Sequence, residues 1–192
     1  ELLTHKYSFE DLSYATGVDI TDKDIVTSRI KKSDAPWVFH FAAVTDVDGS
    51  EKERLLGSKS KTWIVNVEAT KYIVEACRES GKRLLFVSTD FVFDGSKDTY
   101  TEEDIPNPQG WYAVTKYEAE KKVATLGSHS LIVRIAFPYC GVNHTKKDFL
   151  HRMLEVLRSG KELYAPSDQI FVPTFIDDIA FALQILIDQN AY

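Results

Sequence analysis

Two residues with acid–base side chains, Tyr112 and Lys116, lie four positions apart in the sequence. On a helix that rises about 1.5 Å per residue, this spacing puts both side chains on one face, roughly 6 Å apart along the axis. A free phenol has a pKa of about 10, and a neighbouring ammonium favours the phenolate, so we expect Lys116 to lower the pKa of Tyr112. The spacing therefore predicts an acid–base pair.

The segment before this pair supplies a hydroxyl. Thr89 comes soon after the apolar run Leu-Leu-Phe-Val at residues 84–87, a run typical of a buried strand. Open α/β sheets bind ligands at the carboxyl ends of their strands, so Thr89 is a candidate to hold a substrate oxygen beside Tyr112. Two structural alternatives stay open: Tyr-x-x-x-Lys occurs by chance on many helices, and Thr89 or Asp90 could simply cap a turn.

The remaining sequence alternates between apolar runs and stretches of helical periodicity. Strands are predicted at residues 6–12, 37–43, 84–87, 131–136 and 169–172. Helices are predicted between them, one starting at Thr21 or Asp22, one ending at Gly81, others around residues 112–126 and 149–160, and a last one after Thr174 that runs through Ile179 to Ile187. Such alternation predicts an α/β fold with a doubly wound parallel sheet in a single domain over residues 1–192.

Composition narrows the classes of function. Apolar residues make up 44% and charged residues 27% of the chain, and the formal net charge is −6 without a basic stripe. We therefore expect a globular protein in the cytoplasm that binds neither nucleic acid nor membrane. Cys77 and Cys140 are far apart, and His144 and His151 lack ligand spacing, so we expect no disulfide and no metal. His40 lies in an apolar strand and is predicted to be a core residue.

Several motifs occur in a fixed order over nearly the whole chain. They are residues 19–22 (Asp-Ile-Thr-Asp), 42–48 (Ala-Ala-Val-Thr-Asp-Val-Asp), 88–95 (Ser-Thr-Asp-Phe-Val-Phe-Asp-Gly), 112–116 (Tyr-Ala-Val-Thr-Lys), Glu120, Arg134 with Tyr139, and Asp168-Gln169 before Pro173-Thr174. With these residues the chain resembles the extended short-chain dehydrogenase/reductases, and within them the dTDP-4-dehydrorhamnose reductase (RmlD-like) family. The 88–95 motif is the most specific of the set.

The resemblance implies a Rossmann-type domain that uses NADPH or NADH to reduce a ketone on a nucleotide-linked 4-keto-6-deoxy sugar. The implied catalytic residues are Thr89, Tyr112 as proton donor, and Lys116. The implied cofactor contacts are Asp19, Ile20, Ala42, Ala43, Thr45, Tyr112 and Lys116. The implied sugar contacts are Val47, Asp48, Thr89 and Asp90. Asn66 resembles a family asparagine, but we interpret it as structural.

Some of these residues have simpler explanations. Asp19 could be a loop carboxylate near a helix start, and Ala42 and Ala43 could be small only for packing. The family's glycine-rich phosphate-binding fingerprint is absent, since none of the nine glycines has its spacing. We therefore expect a fragment truncated at both ends, in which residues 140–192 include the start of the substrate-binding portion.

Two alternative functions and the oligomeric state remain open. A sugar-nucleotide epimerase or dehydratase of the same superfamily would use the same tyrosine and lysine while recycling its cofactor. A non-catalytic regulatory subunit, like that of methionine adenosyltransferase, would bind a protein partner instead. The assembly we consider for the reductase is a homodimer.

Overall fold

The structure is a computed structural model of the chain and describes residues 3–141, 147–164 and 167–189. It has an α/β fold with parallel strand pairing, which confirms the predicted fold class. The chain forms two compact units, one made of Ser8–Arg134 and the other of the described residues in 1–7 and 135–189. Within the described ranges, no helix combines the length and the apolar character that crossing a membrane requires.

The larger unit contains most of the regular elements. In chain order they are α1 (Lys23–Lys32), β1 (Trp37–His40), α2 (Val47–Lys52), α3 (Lys61–Trp63), α4 (Ala69–Ser80), β2 (Arg83–Thr89), α5 (Trp111–Ala124) and β3 (Ser130–Ile135), whose last residue is grouped with the other unit. A π-helical turn at Ile64–Glu68 joins α3 to α4. Short 3-10 turns occupy Tyr14–Thr16, Arg54–Lys59, Asp90–Val92 and Gly127–His129.

The three strands of this unit lie in the order β1-β2-β3. β1 pairs in parallel with β2, with Trp37 opposite Arg83 and His40 opposite Phe86. β2 is the central strand, and its residues Leu84, Leu85 and Phe86 are buried. Among the described residues β1 has only β2 as a strand neighbour, and the strand is shorter and less buried than predicted. Thr89 therefore lies at the carboxyl end of the central strand of the sheet.

Capping residues fix the helices that pack beside this sheet. The Asp22 side chain accepts hydrogen bonds from the backbone N–H groups of Asp24 and Ile25, so α1 starts where the sequence predicts. Gly81 has a φ of +68°, and its N–H donates to the carbonyl of Cys77, which ends α4 just before β2. α1, α4, α5 and β2 share one apolar core, formed by Val26, Ile30, Ile73, Val74, Ala76, Cys77, Leu84, Phe86, Ala119 and Val123.

Two predictions of local structure were wrong, and one helix was not predicted. Residues 6–12 have mixed polarity and form no strand. The strand predicted at residues 169–172 lies instead at β5 (Thr174–Phe175), after Pro173, which has no N–H to give to a ladder. The polar segment after β1 contains α2, which starts at Asp46, whose carboxylate accepts from the N–H of Gly49 at 3.0 Å.

The smaller unit contains β4 (Pro138–Tyr139), α6 (Phe149–Arg158), β5 and α7 (Ile176–Asp188). β4 and β5 pair in parallel, with Pro138 opposite Thr174. Phe137, Phe149 and Phe171 form an aromatic cluster in which the ring centroids are 5.0–5.4 Å apart. Phe137 has a φ of +40°, a rare conformation for a bulky residue.

Candidate active site

Thr89 and Tyr112 meet where β2 ends and α5 begins. The hydroxyl of Thr89 hydrogen-bonds to the Tyr112 phenol and also accepts from the backbone N–H of Phe91 at 3.2 Å. This second bond caps the 3-10 turn Asp90–Val92. The structure therefore brings the hydroxyl and the phenol together, and the turn-capping alternative for Thr89 is true at the same time.

Lys116 lies one helical turn further along α5 and is only 4% exposed. Its ammonium donates to the carbonyl of Val87 at 2.7 Å and lies 4.0 Å from the centroid of the Phe86 ring. Burial lowers the pKa of Lys116 to about 7, and the charge of Glu120 opposes that shift. Lys116 can therefore exchange a proton near neutral pH, which an exposed lysine does not do.

The pKa of Tyr112 changes in the direction opposite to the one the spacing predicts. Burial raises it to about 12; the hydrogen bond with Thr89 lowers it, and the charge of Asp90 raises it further. The expected lowering by Lys116 is thus wrong for this chain, because burial of the phenol outweighs the one contact that lowers its pKa, the Thr89 hydrogen bond. At neutral pH Tyr112 is a protonated phenol, the form that can donate a proton.

Asp90 borders this pair. Its Oδ1 accepts from the Thr89 hydroxyl at 3.2 Å. Burial raises the pKa of Asp90, while the Thr89 hydrogen bond works against the increase. A partly buried carboxyl group therefore lies next to the hydroxyl that the sequence proposes as a substrate contact.

Two of the proposed cofactor contacts, Asp19 and Ile20, have structural roles in the described chain. Asp19 Oδ1 accepts from the backbone N–H of Thr21 at 2.9 Å and from its hydroxyl at 2.7 Å, and these bonds lower the pKa of Asp19. Ile20 packs against the apolar core. The contacts of Asp19 are therefore those of a loop carboxylate near a helix start, the simpler explanation given above.

Asn66 connects the chain after β1 to α5. Its Oδ1 accepts from the N–H of Val44 at 2.8 Å, and its Nδ2 donates to the Val44 carbonyl at 3.2 Å and to the Thr115 hydroxyl at 3.0 Å. Asn66 is 1% exposed. Its amide holds the backbone next to Ala42, Ala43 and Thr45 at a fixed position relative to α5, which carries Tyr112.

The first turn of α5 is held by residues that the sequence analysis did not identify. Gly110 provides no side-chain cap, and Glu51 Oε2 accepts from the N–H of Trp111 at 2.7 Å instead. The Trp111 indole donates to the Ser60 hydroxyl at 3.1 Å and stacks on Trp63 with centroids 5.7 Å apart. Glu51 lies on α2, which starts with the proposed sugar contacts Val47 and Asp48 and packs against α5.

Two other predicted features can be compared with the structure. His40 is a core residue as predicted, since it is buried and its Nε2 is 2.9 Å from the Thr70 hydroxyl. Cys140, Asp148 and His151 bring one potential ligand atom each within 4.8 Å of the others. Asp148 there caps α6, accepting from the N–H groups of Cys140 and His151, and this role accounts for the arrangement. His144 lies outside the described residues.

A parallel α/β sheet whose central strand ends in threonine, followed by a helix with tyrosine and lysine four residues apart, is the arrangement of the short-chain dehydrogenase/reductase class. Residues 3–192 match the model of the RmlD substrate binding domain. The chain belongs to that family.

Similar proteins cover nearly all of this chain. It is 35% identical over 167 residues to a dTDP-4-dehydrorhamnose reductase of Aggregatibacter actinomycetemcomitans, a match that covers 86% of this chain and 54% of the relative. It is 31% identical over 174 residues to methionine adenosyltransferase 2 subunit beta of Bos taurus, with coverages of 90% and 51%. The chain thus spans about half the length of the curated relatives it matches.

Among solved structures, the chain is similar to the dTDP-4-dehydrorhamnose reductase of Bacillus anthracis in complex with NADP. The TM-score is 0.85 at 27% identity, and the match covers 98% of this chain and 65% of that one. The corresponding protein of Clostridium acetobutylicum gives a TM-score of 0.82 at 31% identity, with coverages of 93% and 61%.

Proposed function

We propose that this chain carries the proton-transfer site of an NADPH- or NADH-dependent reductase that acts on a nucleotide-linked 4-keto-6-deoxy sugar. The observation that carries the proposal is the placement of Thr89 at the end of β2, where it interacts with Tyr112, while the buried Lys116 follows Tyr112 one turn later on α5. The similarity to dTDP-4-dehydrorhamnose reductases, one of them in complex with NADP, supports the substrate and the cofactor.

The polar groups at the end of β2 fit the nicotinamide end of such a cofactor. Lys116 has three N–H donors, and the hydrogen bond described for it uses one of them, to Val87. Within the described chain the Ser88 hydroxyl is buried without a hydrogen-bond partner. These groups would satisfy ribose hydroxyls, whereas the glycine-rich turn for the phosphates is not in residues 1–192.

The mechanism follows from the protonation states. A bound nicotinamide cofactor would supply hydride to the ketone carbon. Thr89 would hold the ketone oxygen, and Tyr112, a protonated phenol at neutral pH, would give that oxygen a proton as negative charge develops on it. Lys116 would contact the ribose and, as an ammonium, favour the phenolate that remains.

The other proposed contacts follow the family resemblance. Asp19, Ile20, Ala42, Ala43 and Thr45 would line the path of the cofactor, and Val47, Asp48 and Asp90 would border the sugar. Residues 1–192 would form a single, partial Rossmann-like domain, in which residues 140–192 include the start of the substrate-binding portion. A cytoplasmic location and a homodimer complete the proposal.

An absorbance assay tests this function. The protein as encoded would be mixed with NADPH or NADH and a dTDP-4-keto-6-deoxyhexose, and oxidation of the cofactor would be followed. We expect Tyr112→Phe to lower kcat by about 10²–10⁴-fold, the usual contribution of a positioned acid, while the matched control Tyr117→Phe on the same helix retains activity. Folded protein that binds the cofactor and does not turn over would refute the proposal.

The similarity to methionine adenosyltransferase 2 subunit beta favours a second candidate, a non-catalytic regulatory subunit. Co-purification with an adenosyltransferase catalytic subunit, together with absent reductase activity, would support this candidate. Conversion of the sugar nucleotide without net oxidation of the cofactor would instead indicate an epimerase or dehydratase.

A further inference from the structure

Glu120 is a buried carboxylate next to the proposed site. It lies on α5 four residues after Lys116, so the two side chains share one face of the helix. Glu120 is 3% exposed, and Lys116 is similarly buried. A carboxylate is rarely this buried without a partner, and the partner here comes from another element.

That partner is Arg134 on β3. Its Nε donates to Glu120 Oε1 at 3.0 Å and its Nη2 donates to Oε2 at 2.7 Å, so the two planar groups are joined by a bidentate pair. The guanidinium also lies 5.0 Å from the Phe93 ring centroid, and Phe93 stacks on Tyr100 at 4.3 Å. Arg134 therefore holds the Glu120 carboxylate in one orientation.

Lys116 is surrounded by groups of different charge. The neutral partners are the Val87 carbonyl and the Phe86 ring, both from β2. His40 of β1 is neutral too, because burial and the charge of Lys116 lower its pKa to about 3. The charge of Glu120 raises the pKa of Lys116, against the effect of burial.

From this geometry we propose that Glu120, oriented by Arg134, is a positioning residue that keeps Lys116 protonated in the site. The catalytic consequence rests on the proposed function, since it is there that an ammonium at Lys116 favours the phenolate of Tyr112. Glu120 itself touches neither substrate nor cofactor and acts through Lys116.

A purely structural role for Glu120 makes a different prediction. If the ion pair only braces α5 against β3, its removal lowers stability and leaves the protonation of Lys116 unchanged. If Glu120 is the counter-charge, its removal lowers the pH at which Lys116 loses its proton. The titration midpoint of Lys116 therefore separates the two roles.

The experiment is an NMR titration of the protein as encoded, labelled with ¹³C-lysine. The Lys116 Cε signal is assigned by its absence in Lys116→Arg. We expect Glu120→Gln to lower the Lys116 midpoint by about one pH unit, a tenfold weaker proton affinity. The matched control is Glu118→Gln, which removes a carboxylate from the same helix that pairs with Lys121, and it should leave the midpoint unchanged.

An unchanged midpoint in folded Glu120→Gln, or an equal decrease in Glu118→Gln, would overturn the proposal. If Glu120→Gln does not fold, the double variant Glu120→Gln/Arg134→Gln leaves neither charge without its partner. A smaller decrease in the same direction is expected of it, because the positive charge of Arg134, which disfavours the ammonium, is removed as well. The titration needs no turnover, so a failure of the reductase assay and a failure of the Glu120 proposal are distinguishable.

Discussion

The amide of Asn66 donates to the hydroxyl of Thr115 at 3.0 Å, and that hydroxyl donates in turn to the backbone carbonyl of Tyr112 at 2.7 Å. The same amide pairs with both backbone polar groups of Val44. A single buried side chain thus links the loop after β1 to the residue proposed as proton donor.

Removal of this link should destabilise the larger unit. We expect Asn66→Ala to lower the free energy of unfolding by about 2–4 kcal/mol, because each buried partner left without a hydrogen bond costs about 1–3 kcal/mol. Asn66→Asp should also destabilise, since a carboxylate cannot donate to Thr115. Urea unfolding measures the change, with Lys71→Ala as the exposed control on α4. A loss no larger than that of the control would contradict the prediction.

Glu51 should stabilise the start of α5. Its carboxylate accepts from the N–H of Trp111 and pairs with Arg54, and these two contacts lower the pKa of Glu51 below 4.5. A lowered carboxyl pKa stabilises the fold above the unfolded value, and this contribution is lost as the pH falls through the folded value.

We therefore expect Glu51→Ala to lower the Tm at pH 7, and Glu51→Gln, which keeps an acceptor, to lower it less. The difference between Glu51→Gln and the parent should narrow as the pH falls below 4.5. Thermal unfolding followed by circular dichroism tests both effects, with Glu103→Ala in the exposed loop as control. A Glu51→Ala variant with the Tm of the parent would refute the assigned role.

The parts of the fold that were predicted correctly depend on local signals. The apolar run of β2, the N-cap Asp22 and the C-cap Gly81 each determine their own element, so alternating strands and helices could be recognised in order. α2 was missed because its six residues, Val-Asp-Gly-Ser-Glu-Lys, contain one apolar side chain and show no periodicity. The strand prediction at residues 169–172 was wrong because the position of a strand depends on its partner. Here β4 pairs with residues 174 and 175 instead.

The parts of the site that were predicted correctly also depend on local signals in the sequence. The spacing of Tyr112 and Lys116 and the place of Thr89 after a strand follow from sequence distances of a few residues. The raised pKa of Tyr112 depends on burial by the whole unit, which no spacing reveals. The ion pair of Glu120 with Arg134 joins residues 14 positions apart on different elements, and both were recognised only as parts of the family pattern.

His40 should make the protein sensitive to acid. Thr70 donates its hydroxyl hydrogen to the carbonyl of Asn66, so His40 Nε2 carries the hydrogen in their 2.9 Å bond. The pKa of His40 is about 3 in the fold against 6.5 unfolded. Only the unfolded chain gains the proton between these values, so stability is lost as the pH falls from 6.5 to 3.

His40→Gln keeps a donor for Thr70 without a titrating group. We expect the loss of stability between pH 6.5 and about pH 5 to be smaller in this variant, by about 2 kcal/mol. Urea unfolding at both pH values measures the difference, and His129→Gln at an exposed position is the control. If the variant lost as much stability as the parent over this pH range, His40 would take up its proton as readily in the fold as in the unfolded chain.

Lys116 should oppose folding at neutral pH. Its pKa is about 7 in the fold against 10.5 unfolded. Between these values the unfolded chain binds more protons than the folded one, so stability rises with pH from about 7 to 10.5 and the cost of burying the amine is greatest below 7. Lys116→Met removes that cost, and the apolar stem can still pack against Phe86.

We therefore expect Lys116→Met to be more stable than the parent by about 1–3 kcal/mol at pH 7, with the advantage shrinking towards pH 10.5. The variant should also lose the proposed reductase activity. Lys116 would then be a residue that lowers the stability of the fold and is required for its function. Urea unfolding at the two pH values tests this, with Lys121→Met, an exposed lysine on the same helix, as control. A Lys116→Met variant whose stability follows that of the parent across this pH range would mean that the amine keeps its full proton affinity in the fold.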